Sequence, residues 1–372
     1  MSRTVAIIGT RGYPSYYGGF ETAVRKIAPA LVECGWKVSV YGRRGAIRAS
    51  DPSLDKRVES ILTPGLEAKS ISTLSYGLTA SIHAFWRKPD VALVMNVANG
   101  YYLPLLKLRG IRTIVNVDGI EWDRAKWGRF AKLVFRGGAR FTAWFADDLI
   151  FDSREIERRW SVDFGRSGVF IPYGGDEVDA LPLEPGYAHR GYALVVARFV
   201  PENTIPEFLD AAQQIAETLP VVIVGSSGYG GELEERVADL SARNENITWV
   251  GHISDDRRLL ALWQHAAVYF HGHSVGGTNP TLVQAMATAT PIVARDTVYN
   301  REVLGPDGHF CEPEATSIAE AVVALASDQL AMRTASEANY RRSRASYTWE
   351  QVCSAYADAL KALLPGATKA GK

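Results

Sequence analysis

The sequence predicts an α/β protein made of two doubly wound, Rossmann-like domains facing across a cleft. Three observations carry this. Short apolar runs alternate with amphipathic stretches along the whole chain, the alternation is interrupted once near residue 180, and 372 residues with 47% hydrophobic content suffice for two cores.

In the first half the strand-like runs are TVAIIG (4–9), KVSVYG (37–42), VALVMN (91–96), TIVNVDG (113–119) and DLIFDS (148–153). They read as buried parallel strands, with helices between them closing right-handed crossovers. In ETAVRKIAPALVECG, Ala23, Ile27 and Leu31 share one helical face and Gly35 can stop the helix. At 173–191, YGGDEVDALPLEPGYAHRG crowds glycine, proline and acids together and reads as a linker. A second set follows: YALVVAR (192–198), PVVIVG (220–225), ITWVG (247–251), AVYFHG (267–272) and PIVARD (291–296). The expected division is a domain over 1–180, a second over 181–345, a helix over 346–364 and a disordered tail over 365–372.

Composition narrows the function classes. No long uncharged apolar run is present, so no transmembrane helix is expected, and the start lacks the features of a signal peptide. Cys34, Cys311 and Cys353 are odd in number and far apart, which points to a reducing, cytoplasmic setting without disulfides. Net charge is zero, yet residues 1–184 hold 26 basic against 20 acidic side chains and the remainder 15 against 21. Either the halves attract one another or the first half faces something anionic. A neutral chain without a recognised module is not expected to bind nucleic acid. A dinucleotide-dependent dehydrogenase is disfavoured, because neither first strand leads into G-x-G-x-x-G and YGRR (41–44) stands where an acid would hold a ribose.

Chemistry is sought in the loops after strands, where open sheets bind ligands. GTRGYPSYYGGFET (9–22) places Gly18 and Gly19 ahead of a helix near Phe20, with Arg11 and Glu21 beside them. This is either an anion site at a helix start or a tight turn. VDGIEWDRAKWGR (117–129) gathers Asp118, Glu121 and Arg124 with Trp122 and Trp127, a pattern that suits sugar hydroxyls as well as a polar surface. The stretch 126–145 interleaves Lys126, Arg129, Lys132, Arg136 and Arg140 with large aromatics. It suits either a helix on an anionic bilayer or a helical pair packed into the core. Arg198 ends a strand in VVARFVPEN (195–203), where a diphosphate could be met. In FHGHSVGGTNPTLVQAMA (270–287) a glycine-rich turn runs into a helix opened by Pro280, again with free N–H groups. His271 and His273 lack metal-ligand spacing and no D-x-D occurs, so no metal is expected.

Together, GTRGYPSYYGGFET, DGIEWDRAKWG, ARFVPEN, HGHSVGGTNPTLVQAMA and YNREVLG (299–305) resemble the family-4 retaining glycosyltransferases of GT-B fold, within them the bacterial rhamnosyltransferase-like branch. The resemblance spans nearly the whole chain. It implies an acceptor-binding first domain, a nucleotide-sugar-binding second domain and a final helix, SYTWEQV onward, crossing back to the first domain. It implies transfer with retention and without metal or other cofactor, from a nucleotide-sugar to a saccharide or polyprenyl-linked saccharide. Asp118, Glu121, Arg124 and Arg198 are the implied catalytic residues. Arg11, Gly18, Gly19, Phe20, Glu21, Asp152, Ser153, Tyr173, Asn203, His273, Gly276, Gly277, Thr278, Asn279 and Gln284 are the implied substrate contacts. Two positions depart from the broader family: Asn203 replaces a lysine, leaving the second phosphate charge to Arg11 or Arg295, and Gly276 with Gln284 replaces a pair of glutamates. Gln284 argues for a deoxyribose donor, dTDP-L-rhamnose, over UDP- or GDP-sugars. A soluble acceptor and a non-catalytic sugar- or nucleotide-binding protein are the alternatives.

Overall fold

A computed structural model describes residues 3–16, 18–45, 51, 53–67, 71–117, 119–124, 127–228 and 230–366. Asp118, Lys126 and the tail beyond Gly366 lie outside the described residues. The chain forms two compact units, Met1–Pro172 with Trp349–Lys372, and Tyr173–Thr348.

The first unit holds β1 (Arg3–Ile8), α1 (Gly19–Glu33), β2 (Trp36–Gly42), β3 (Glu59–Leu62), α2 (Ser72–Arg87), β4 (Val91–Met95), α3 (Leu103–Leu108), β5 (Arg112–Asn116), α4 (Arg129–Phe145), β6 (Asp148–Phe151), α5 (Arg154–Phe164) and β7 (Val169–Phe170). Its seven strands are parallel in the order β3-β2-β1-β4-β5-β6-β7. All of β4, VALVM, is buried, as helices on both faces of a parallel sheet require. In α1 the predicted apolar face is buried, and Gly35 follows its end at φ +84°. The order reverses at β1, so the loops after β1 and β4 flank the switch point. They approach so closely that a Cβ on Gly9, at φ +96°, would lie 2.2 Å from the Met95 carbonyl oxygen.

The second unit holds β8 (Ala193–Val196), α6 (Ile205–Ile215), β9 (Val221–Val224), α7 (Glu232–Arg243), β10 (Ile247–Gly251), α8 (Asp256–His265), β11 (Val268–His271), α9 (Pro280–Ala287), β12 (Ile292–Arg295), α10 (Val298–Leu304), β13 (His309–Cys311), α11 (Ala315–Ser327) and α12 (Gln329–Ser346). Its parallel order is β10-β9-β8-β11-β12-β13, with the switch point between β8 and β11. Phe208 and Phe270 stack at 5.1 Å in its core.

Every strand expected from the apolar runs is present. The structure adds β3, β7 and β13, of two to four residues, all at sheet edges. Short edge strands limit unwanted pairing and carry too few residues for a pattern.

The last helix, α13 (Trp349–Ala362), belongs to the first unit and lies against α1. Its Tyr356 hydroxyl accepts a buried hydrogen bond of 2.6 Å from Asn116 Nδ2. Tyr356→Phe is expected to lower stability by about 1 kcal/mol, measured by urea unfolding, with the first unit's signal moving first.

Candidate functional site

In the second unit the loops after β8 and β11 are stitched together beside the switch point. The Glu202 carbonyl accepts from both the Ser274 amide and its hydroxyl, each at 2.9 Å. Thr204 Oγ1 donates to the Gly272 carbonyl at 2.6 Å and accepts from Arg295 Nη1 at 3.0 Å. Gly272 lies too close to Asn203 for a side chain, a Cβ there meeting the Asn203 carbonyl oxygen at 2.4 Å. Arg198 is exposed just past the end of β8, and the glycine-rich turn after β11 leads into α9. Gly276 takes φ +104° in that turn, and Thr278 is buried.

Several expected contacts have internal duties. Asn203 is buried and its Nδ2 donates to the Arg198 carbonyl at 2.9 Å. Asn279 caps α9, accepting from the Thr281 amide at 3.0 Å. The Gln284 amide is engaged at both ends by the Asp176 backbone: Oε1 accepts from the Asp176 N–H at 2.9 Å and Nε2 donates to its carbonyl at 3.1 Å. An amide side chain makes that reciprocal pair at any pH, whereas an ionised carboxylate can only accept. Tyr173 is buried at the start of the unit.

His273 stacks on His271 at 4.4 Å, and Asn300 Nδ2 donates to its carbonyl. Burial, with the neighbouring His273 second, holds the His271 pKa well below the usual imidazole range, so the ring is neutral beside the Tyr269 hydroxyl. Sequence reasoning did not single out Glu202. It is buried, and neither carboxylate oxygen meets a hydrogen-bond donor.

In the first unit the 9–22 loop folds inward. Tyr13 is fully buried, its hydroxyl donating to the Ser53 carbonyl and accepting from the Asp55 amide. Tyr16 donates to Asp51 Oδ1 at 2.9 Å, and Arg25 covers its ring at 3.8 Å. Glu21 is buried and accepts from the Arg11 amide at 3.0 Å, which ties the loop to the start of α1. Gly18 precedes that start in an extended conformation without a side-chain cap, and Gly19 and Phe20 open the helix. These tyrosines and Glu21 thus shape the loop.

The tryptophan-rich loop after β5 is organised around Glu121, which is buried, accepts from Trp127 Nε1 at 2.8 Å and pairs with Arg124 at 2.7 Å. Trp122 packs on Trp160 and Phe164. After β6, Asp152 is buried and Ser153 caps α5, accepting from the Glu155 amide at 3.1 Å. The loops carrying Arg11, Glu121 and Asp152 therefore all leave the carboxyl edge of one sheet.

Along α4 the two readings of the basic–aromatic stretch divide by face. Phe141 packs against Tyr101 and Phe145, and Trp127 against Phe135. Phe130, Leu133 and Trp144 remain 81%, 69% and 66% exposed. At 100° per residue they lie beside the exposed Arg129, Arg136 and Arg140 on one outward stripe. Among the described residues no helix is long and apolar enough to cross a membrane.

Residues 190–328 match the family model "Glycosyl transferases group 1", which falls on the second unit's sheet. Over 181 residues the chain is 30% identical to phosphatidyl-myo-inositol mannosyltransferase of Mycobacterium leprae, covering 46% of this chain and 48% of that protein. The chain spans about half the length of the curated relatives it matches. Sucrose-phosphate synthase from Thermosynechococcus elongatus superposes over 97% of this chain and 99% of its own with a TM-score of 0.78, at 18% identity. The fold is GT-B. Another structure of similar fold is Anabaena HepE in complex with UDP-glucose, with TM-score 0.75, 15% identity, and 97% and 100% of the two chains covered. Within this GT-B chain the matched segment includes the stitched loops of Arg198, Gly276 and α9.

Gln284→Glu is expected to cost about 1–3 kcal/mol at neutral pH, because a carboxylate has no proton to give the Asp176 carbonyl. The deficit should narrow as pH falls and the carboxyl regains its proton, read as paired denaturation curves at several pH values.

Proposed function

We propose that this chain is a retaining glycosyltransferase that moves L-rhamnose from dTDP-L-rhamnose to a saccharide or polyprenyl-linked saccharide, in assembly of a bacterial cell-surface polysaccharide or glycolipid. The observation that carries the reading is that the group 1 match falls on the unit whose switch point presents Arg198 and the N-terminus of α9. When the glycosidic bond to the nucleotide breaks, charge develops on the departing diphosphate. Arg198 and the N–H groups of the 275–279 turn take it up, so the reaction proceeds without a metal. The buried Glu202 carboxylate accepts from hydroxyls of the donor. With its amide held by Asp176, Gln284 makes no grip on a ribose, which favours the deoxyribose nucleotide. UDP-sugar is the second reading, favoured by the UDP-glucose bound to Anabaena HepE.

The acceptor is lipid-linked on this reading because α4 carries arginines and bulky apolar side chains on one outward stripe. That stripe rests on the anionic cytoplasmic face of a membrane, with aromatic side chains at headgroup depth and arginines among the phosphates.

A panel of dTDP-, UDP- and GDP-sugars, scored by nucleoside diphosphate release with and without EDTA, tests the reaction. Release from dTDP-L-rhamnose unaffected by EDTA is expected, and Arg198→Ala should reduce it by about 10²-fold or more; undiminished turnover in that variant refutes the assignment. In co-sedimentation, binding to anionic vesicles and not to neutral ones is expected, with Leu133→Asp plus Trp144→Asp abolishing it.

A further inference from the structure

We infer that Arg43 anchors a phosphate group in the first unit, at the carboxyl edge of its sheet. The site deepens the proposed function by giving the acceptor an anionic phosphate, and it rests on that reading only for the word acceptor.

Arg43 follows β2 directly and is 92% buried, its relative exposure being 8%. Buried charges are ordinarily paired, because an uncompensated ion in a low-dielectric interior is costly. Among the described residues Arg43 forms no ion pair. Its Nη1 donates to Ser72 Oγ at 3.3 Å, its guanidinium stands 4.9 Å over the Tyr76 ring, and its Nε is buried without an acceptor. The carboxylates whose field reaches it are Glu67, which is exposed, and Glu21, which already accepts from the Arg11 amide. The Arg43 amide donates to the Arg11 carbonyl at 2.9 Å, which ties the end of β2 to the loop after β1. Burial first, and the Arg11 charge second, hold the Arg43 pKa below its ordinary value.

Arg43 lines a cavity of about 10 Å³, room for one water or one phosphate oxygen. Thr10, Thr63 and Tyr76 also line it. Gly42 brings the strand end against the loop, since a Cβ there would meet Gly12 Cα at 2.7 Å. The Arg43 guanidinium and the hydroxyls of Thr10 and Thr63, gathered at the ends of β1, β2 and β3, suit a phosphate, which accepts several charge-assisted hydrogen bonds at once. The ligand is a monophosphate or diphosphate group, supplied by a polyprenyl phosphate or by a water-soluble phosphate.

The test is the thermal shift of the full chain with saturating dTDP, so that the second unit's site is filled, while inorganic phosphate or a short polyprenyl diphosphate is titrated. In the wild type each anion should add a second rise in Tm. Arg43→Met should need at least tenfold more anion for the same rise, keep the dTDP increment and melt no lower than wild type without ligand. Arg43→Lys, retaining the charge without the fork, should be intermediate, and Arg198→Ala should show the reverse pattern. An unchanged anion rise in Arg43→Met, or no rise in the wild type, overturns the inference. So does an Arg43→Met chain that melts lower and loses both increments, for then the residue is structural. A wild type that responds to the anions and not to dTDP leaves Arg43 in place and removes the dTDP donor. Tighter response to the polyprenyl diphosphate assigns the lipid source, and equal response the soluble one.

Discussion

The carboxyl edge of the second unit's sheet depends on one buried hydroxyl. Thr204 sits at φ +57°, a left-handed conformation that a β-branched residue adopts only when its surroundings over-determine it. Those surroundings are the ends of three strands: its own turn after β8, the Gly272 carbonyl after β11 and the Arg295 guanidinium at the end of β12. A single oxygen thus sets the spacing between the loop that carries Arg198 and the loop that runs into α9. A few tenths of an ångström there would change the separation of cation and helix start, on which the proposed stabilisation of a leaving diphosphate turns.

The two units leave complementary charges uncompensated at their sheet edges. Among the described residues, the second buries the Glu202 carboxylate without a donor and the first buries the Arg43 guanidinium without a paired carboxylate. Each costs folding free energy that an apolar side chain of similar size would not. In the function and the phosphate site proposed above, a ligand completes the hydrogen bonding at both places. Glu121 beside Trp127 and Arg124, and Gln284 against Asp176, are by contrast answered internally.

The contrast explains what the sequence disclosed. Central parallel strands are buried on both faces, so their continuous apolar runs stood out, while β3, β7 and β13 at the edges offered two to four residues and no signal. The positions of the loops follow from the strands that precede them. What individual side chains do inside them was less legible, since hydrogen bonding to a backbone far away in sequence leaves no local pattern. Gln284 meets Asp176 across 108 positions, and the Tyr13 hydroxyl meets Ser53 and Asp55 across some 40. Arg43 lay in plain view in YGRR, where it counted only against a dinucleotide. Its significance needed the burial that the structure supplies.

The placement of α13 has a consequence for the order in which the molecule is made. The second unit, Tyr173–Thr348, is one uninterrupted stretch and holds all its own strands and helices. The first is discontinuous: its sheet is synthesised early, but the helix that covers α1 and closes on Asn116 comes after the whole of the second unit. At translation speeds of about 5–20 residues per second, the first-made domain waits some ten seconds or more with an apolar face uncovered. The half of the chain that leaves the ribosome first is therefore the last to be finished, and its exposure to chaperones and proteases is set by the length of its neighbour.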